Sequence, residues 1–426
     1  MDEALDRAVH EAALASGELF AKLRAPWPAG GVDRETYGAG EQHAHDLLRA
    51  QGEALGLSPR IDFAGNLFLT LPGADRAAPA WATGSHLDSV PQGGNYDGAA
   101  GVVAGLAVLK ALRTSGHVPA RDIVLAAFRA EETSSWYHGD FGGHIGSRAA
   151  LGMADPRELQ QARHVRDGAT LHDRMAAAGL RPQEVAPGHR SIEPSRLRGF
   201  IELHIEQGPV LVERGLPVGV VTGIRGSARA RKATITGQDA HSGAVPHEYR
   251  HDAVLAGAEF CHRMDQAWAD VRREGGDLVF TVGRFFTDPA TQSITKVPGR
   301  VDFAVDLRSQ EQATLDRMVS LAQRLAREIG EARGVHIELG PFNVSHPAAM
   351  APSLVESLDA GCRELGLASM RMPSGAGHDA QDFAAAGVPT AMIFVRNDRG
   401  SHNPDEAMGM DDFAKGTRLL AWQLVR

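Results

Sequence analysis

The sequence predicts a two-part chain: an α/β domain on a mostly parallel sheet flanked by helices, interrupted by a smaller α+β insert. Three observations carry that reading. Short apolar strands alternate with helical stretches toward both ends of the chain, the pattern of βαβ units. Between about Ser227 and Leu339 the order changes to β-α-β-β-α-β, the ferredoxin-like arrangement. The length, 426 residues, suggests more than one domain at about 100–200 residues each. The boundaries drawn from these patterns are 1–224 with 342–426 for the α/β part and 225–341 for the insert.

Each element follows from its periodicity. Leu5, Val9, Ala12 and Ala13, with Leu19 and Phe20 a turn beyond, predict a surface helix over the first 24 residues. A second helix is expected from about Gln42 to Leu55. Pro26–Gly31, rich in Gly and Pro, is expected to be a loop. Ala80–Gly84 and Asp122–Ala130 read as buried strands, with a helix over Ala99–Arg113 between them. Phe200–Glu206 alternates strictly and reads as a strand. In the insert, strands are expected at Ala228–Thr236, Leu278–Phe285, Arg300–Leu307 and Val335–Leu339. Its helices are expected at about His251–Arg273 and Gln310–Arg333. The α/β pattern resumes with a helix over Ser353–Leu365 and a strand over Thr390–Val395.

Composition narrows the function. The 44 Lys and Arg against 53 Asp and Glu leave a net charge of −9, without the basic excess of a nucleic-acid binder. Cys261 and Cys362 are too few for a disulfide framework, which favours a reducing compartment. The N-terminus has no basic segment followed by an apolar one, so a cytoplasmic location is expected. Apolar runs fall well short of the roughly 18 residues of a membrane span.

Four strand–loop junctions concentrate His, Asp and Glu. The first is Gly84-Ser85-His86-Leu87-Asp88-Ser89, followed by Gly93-Gly94-Asn95-Tyr96-Asp97-Gly98. Imidazole and carboxylate suit a divalent transition metal, and Asp88 can accept the second ring N–H of His86. A polar loop with a turn-forming Asp-Gly would explain this stretch alone equally well. The second is Glu131-Glu132, directly after a buried strand. One can bind metal while the other serves as general base, although two solvated helix-capping glutamates are the simpler account of such a pair in isolation. In the third, alternation puts Glu202, His204 and Glu206 on one face of a strand, as a half-exposed edge strand also would. The fourth is Gly400-Ser401-His402-Asn403-Pro404, with Gly375-Ala376-Gly377-His378-Asp379 nearby; turn histidines explain each alone. Together they are hard to place by chance, because strand ends on one edge of a parallel sheet converge. Five ligands for two ions emerge: His86, Asp97, Glu132, His204 and His402, with Asp97 as the natural bridge.

These stretches resemble the M20 metallopeptidase-like amidohydrolases, in the branch of N-carbamoyl-L-amino acid amidohydrolases, β-ureidopropionases and allantoate amidohydrolases. The resemblance rests on GSHLDSVPQGGNYDGAAGV, AEE, GSRAALG, ELHIEQGPVL, GQDAHSGAVP with RHDA, VDFAVDLRS, SGAGHDAQDF and GSHNPDEAM, in order along nearly the whole chain. It implies a binuclear centre on the five ligands above, holding two divalent ions, zinc or manganese, with cobalt or nickel as further options. It implies Glu131 as general base, with Asp88 among the catalytic residues. It implies that the insert forms a homodimer and acts as a lid, lending His241 to the other subunit's site to stabilise an oxyanion. Arg308 then grips a substrate carboxylate, and Gln207 is a polar substrate contact. The implied substrate is a small N-carbamoyl acid, with allantoate, an N-acyl amino acid or a dipeptide as alternatives, and no nucleic acid or membrane partner. A carboxylate is common in the wider family where this chain has His204, which favours the ureido branch. Two stretches depart from the branch. Thr295-Lys296-Val297-Pro298 stands where Asn-Val-Ile-Pro is usual, so Thr295 replaces a substrate-contacting amide. Thr133-Ser134-Ser135-Trp136-Tyr137 stands where a small residue and Ser-Arg-Phe are usual. Trp136 and Tyr137 are therefore expected as an aromatic wall favouring apolar substrates over allantoate.

Overall fold

The computed structural model describes residues 1–27, 30–139 and 141–426. Pro28 and Ala29, within the expected loop Pro26–Gly31, lie outside the described residues. The chain divides into two units, Met1–Thr222 with Met350–Arg426, and Gly223–Ala349.

In the first unit the strands lie in the spatial order Pro59–Ile61, Leu67–Leu71, Ile123–Phe128, Ala80–His86, Leu197–Ile205, Thr390–Val395, Val218–Ile224. The four strands from Ile123–Phe128 to Thr390–Val395 are parallel to their neighbours. Antiparallel strands flank them on both sides. The sheet is thus mostly parallel where ligands gather, with antiparallel margins that the sequence pattern missed. Those marginal strands carry no strict alternation to betray them. Leu197–Ile205, read as a possible edge strand, lies between two parallel neighbours instead, and Phe200–Ile205 is wholly buried.

The helix Ala99–Thr114 is buried along nearly its whole surface and packs on the strands Ala80–His86 and Leu197–Ile205. Each fully buried Val or Leu there contributes about 1.5–3 kcal/mol. The single helix expected over residues 1–24 is two, Glu3–Ala15 and Gly17–Arg24. The break falls at Ser16, whose hydroxyl donates to the Ala12 carbonyl at 3.0 Å and competes with the helical ladder. A C-terminal helix, Met410–Leu424, was not anticipated.

The second unit holds an antiparallel sheet in the order Val279–Phe286, Arg300–Ser309, Gly226–Thr236, His336–Glu338. Helices Ala253–Arg273 and Gln312–Arg333 pack on it around Phe260, Phe303, Leu315 and Ile329. Asp252 caps the first of these helices through the N–H groups of Val254 and Leu255. No helix among the described residues is long and apolar enough to cross a membrane.

Candidate metal centre

The four parallel strands end side by side, and each delivers a candidate ligand from its carboxyl end. His86 is the last residue of its strand, two residues beyond the expected end. His204 is the penultimate residue of Leu197–Ile205. Glu131 and Glu132 follow Ile123–Phe128, and His402 follows Thr390–Val395. Asp97 arrives from the turn before the helix Ala99–Thr114. Gly98 makes that approach possible. Its φ is +66°, and a Cβ there would lie 2.5 Å from the His86 ring.

Asp97 sits at the middle. Its Oδ1 is 3.1 Å from His204 Nε2 and 3.6 Å from His86 Nε2. Its Oδ2 is 3.2 Å from His402 Nε2, which is 3.0 Å from Glu132 Oε1. Two ligand groups result, His86–Asp97–His204 and Asp97–Glu132–His402, sharing Asp97. A third grouping, Glu202–His204–His378, borders the first. His86 Nε2 and Asp97 Oδ1 are buried and make no well-formed hydrogen bond. Leaving such atoms unsatisfied costs about 1–3 kcal/mol each, a cost that a cation between them removes. Three imidazoles and two carboxylates fit first-row divalent ions.

Charge in the pocket is tightly held. Burial pushes Asp97 up, but the imidazoles of His204, His402 and His86 outweigh it and hold the carboxyl well below its usual range. Burial likewise opposes ionisation of Glu131, yet His86 and His144 bring it down to about 2. Glu132 goes the other way: burial, with Glu131 and Asp97 nearby, lifts it to about 7 despite His402.

Asp88 organises the floor. Its Oδ1 and Oδ2 accept the backbone N–H groups of Glu131 and Glu132 at 3.1 and 3.0 Å, and Oδ2 also accepts Thr36 Oγ1 at 2.6 Å. His86 Nδ1 lies 3.4 Å from Asp88 Oδ1 and 3.1 Å from the Asp88 carbonyl oxygen, so the carbonyl is the nearer orienting acceptor. Gln207 Nε2 donates to Asp97 Oδ2 at 2.8 Å. Sequence reasoning missed Glu406, whose Oε1 accepts the N–H groups of Tyr96 and Asp97 and whose Oε2 accepts Ser401 Oγ. It ties the Asp97 turn to the His402 loop. Its only sequence signal was its place in GSHNPDEAM. Ala130, His144, Gln207 and His402 are non-glycine residues at positive φ around the cluster, the local strain that functional sites tend to hold.

Trp136 and Tyr137 require a correction. Both are buried in a side cluster with Ile145, Leu159, Leu171 and Met175, and Trp136 Nε1 donates to the Ser89 carbonyl at 2.6 Å. They build core and not an exposed wall, because the indole N–H finds its acceptor inward.

The remaining candidates lie in the second unit. His241 is exposed, on a two-residue strand paired with Lys296-Val297. Its Nδ1 accepts the backbone N–H groups of Gly243 and Ala244, both at 3.2 Å. Nε2 therefore carries the proton and points a donor outward. The Thr295 carbonyl accepts the N–H of Ser242, beside His241. Arg308 is half-buried near the end of the strand Arg300–Ser309, its Nε and Nη2 on Asp306 Oδ2 at 3.0 and 2.9 Å.

The comparisons agree with this architecture. Residues 82–424 match the model of peptidase family M20/M25/M40. An N-carbamoyl-L-amino acid amidohydrolase of Geobacillus stearothermophilus is 35% identical over 405 residues, covering 94% of this chain and 95% of the relative. An allantoate amidohydrolase of Escherichia coli K12 is 33% identical over 398 residues, 93% of each chain. The crystal structure of an amidase of the hydantoinase/carbamoylase family from Burkholderia multivorans superposes with a TM-score of 0.87 at 29% identity. That match covers 98% of this chain and 97% of the other. This chain belongs to the M20/M25/M40 peptidase family.

Proposed function

We propose that this protein is a metal-dependent amidohydrolase that cleaves the C–N bond of a small N-carbamoyl amino acid, giving the amino acid, ammonia and carbon dioxide. The observation that carries the reading is the shared-Asp97 cluster with the Glu131 carboxylate beside it, Oε2 3.9 Å from His86 Nε2. The chain's identity to carbamoyl and allantoate amidohydrolases supports the substrate class. His86, Asp97 and His204 would hold one divalent ion, and Asp97, Glu132 and His402 a second. Ions so held would supply Lewis-acid polarisation of the carbonyl and acidify a water molecule. Glu131 takes the proton of the attacking water and passes it to the leaving nitrogen. His241 Nε2–H donates to the carbonyl oxygen as negative charge develops there. Arg308 binds the substrate carboxylate.

Geometry within the second unit favours a homodimeric site. His241 pairs beside Lys296, while Arg308 lies eight residues along the strand that starts at Arg300. At roughly 3.3 Å per residue, Arg308 lies about 26 Å along that strand from Arg300. An Arg308 placed that far along the strand is in keeping with a His241 that serves the partner subunit's site, the arrangement proposed here. The two free cysteines are in keeping with a cytoplasmic location.

Allantoate is the second reading, supported by the Escherichia coli relative. Ammonia release from carbamoyl amino acids, β-ureidopropionate and allantoate, with zinc, manganese, cobalt or nickel added back, tests both. Turnover of N-acyl amino acids or dipeptides without ammonia release from any ureido compound would overturn the proposal.

A further inference from the structure

His144 stands in the first unit at a position no sequence motif explained. It is a left-handed residue, φ 56° and ψ 41°, just before the helix Ile145–Ala150. A non-glycine residue there is uncommon and marks a place where the surroundings impose the backbone. Its backbone N–H donates to the Glu131 carbonyl at 3.2 Å. Its ring Nε2 lies 3.2 Å from Glu131 Oε1, so it holds the same residue twice. Its Nδ1 lies 3.0 Å from Asp382 Oδ2, which also accepts Ser147 Oγ at 3.0 Å. Gly377 leaves the ring its place, because a Cβ there would sit 3.0 Å from Nε2.

The consequence falls on Glu131. A glutamate side chain has several rotatable bonds and two equivalent oxygens. With Oε1 on His144, the other oxygen, Oε2, is the one turned toward His86, 3.9 Å from its Nε2. We propose that His144, steadied by Asp382, is a positioning residue that fixes the Glu131 carboxylate with one oxygen facing the metal centre. Asp382 and His144 come from segments 238 residues apart in sequence, so the relay also couples the helix Asp379–Ala385 to the base.

The inference rests on Glu131 being the general base, and the test separates the two. His144→Gly removes the ring and keeps the left-handed backbone without steric cost. His144→Gln restores an N–H of similar reach. Asp382→Asn leaves the imidazole in place and loosens its anchor. Each is compared with the wild type and Glu131→Gln in kcat, KM and metal content by atomic emission, on the metal-loaded full chain. His144→Gly should lower kcat about 100-fold, the order of effect of a misplaced catalytic group, with KM and metal content nearly unchanged. His144→Gln should recover most of the loss, and Asp382→Asn should fall between. In the Glu131→Gln background His144→Gly should add no further loss, because there is no base left to orient.

Wild-type kcat in His144→Gly would overturn the inference. So would equal loss in the Gly and Gln variants, or a full additional loss on top of Glu131→Gln, since either marks a packing role. Should His144→Gly not fold, unaltered kcat in Asp382→Asn overturns it as well. Full activity in Glu131→Gln would overturn the base assignment and this inference with it. An inactive Glu131→Gln beside fully active His144 variants would remove the inference alone.

Discussion

The two units hold their candidate functional residues in opposite ways. In the first unit Asp97, His86 and His204 are buried, and neighbouring side chains and backbone groups contact each of them. In the second, His241 and Thr295 are exposed, and Arg308 is half-buried with its charge on Asp306. The groups packed round a buried polar cluster set its geometry, here leaving His86 Nε2 and Asp97 Oδ1 for a cation to satisfy. Exposed groups acquire their full contacts only with a ligand or a second chain. On the proposed reading, metal binding thus belongs to the folded first unit, while substrate selection falls to residues that the fold alone leaves open.

The sharpest way to break this comparison is at Asp97. Asp97→Ala should abolish metal-dependent turnover and lower metal content, since both ligand groups lose their common member. Chelation of the wild type should do the same, reversibly. Full metal occupancy in the alanine variant would show that the cluster is not organised around Asp97. Next in size is Glu131→Gln, expected to lower kcat about 10²–10⁴-fold with metal content retained. Loss of metal instead would exchange the roles of Glu131 and Glu132.

The same contrast explains what the sequence made legible. All four junctions could be read because parallel strands bring their carboxyl ends together, so residues far apart in sequence became one candidate site. The edges of the sheet stayed hidden. Val218–Ile224 is a short, mostly apolar run without alternation, equally compatible with parallel or antiparallel pairing. Glu406 and His144 were missed for another reason: both act on backbone or carboxylate partners brought together only by the fold. Trp136 was misjudged because an aromatic residue beside Glu132 reads alike as pocket wall or core. Only the inward acceptor, the Ser89 carbonyl, decides between them.

A test in the second unit sharpens the comparison further. His241→Ala should lower kcat by about 10²–10³, the usual effect of losing one oxyanion donor. Co-expressed with Glu131→Gln, it should recover part of the activity, because a heterodimer then contains one intact site. A verified heterodimer with no recovery would place His241 in its own subunit's site or outside catalysis.

The smallest expected effect is at Thr295, and it bears on specificity alone. Its hydroxyl lies 3.2 Å from Ser293 Oγ, and its carbonyl fixes Ser242 beside His241. The backbone role survives substitution, so Thr295→Asn should fold and bind metal as the wild type does. An amide adds a donor pair and reach that a hydroxyl lacks. Substrates with a second polar group, allantoate above all, should gain from it. With Trp136 and Tyr137 in the core, neither walls a pocket for apolar side chains, so the preference expected from Thr295 should be modest. An apolar pocket discriminates by about 10–200-fold at most, and a site built for polar groups by much more. The quantity to compare is the ratio of kcat/KM for carbamoyl-leucine to that for allantoate. It should fall by roughly tenfold in Thr295→Asn, about the lower end of that range. An unchanged ratio would mean that the second unit selects substrate through Arg308 and His241 without this loop.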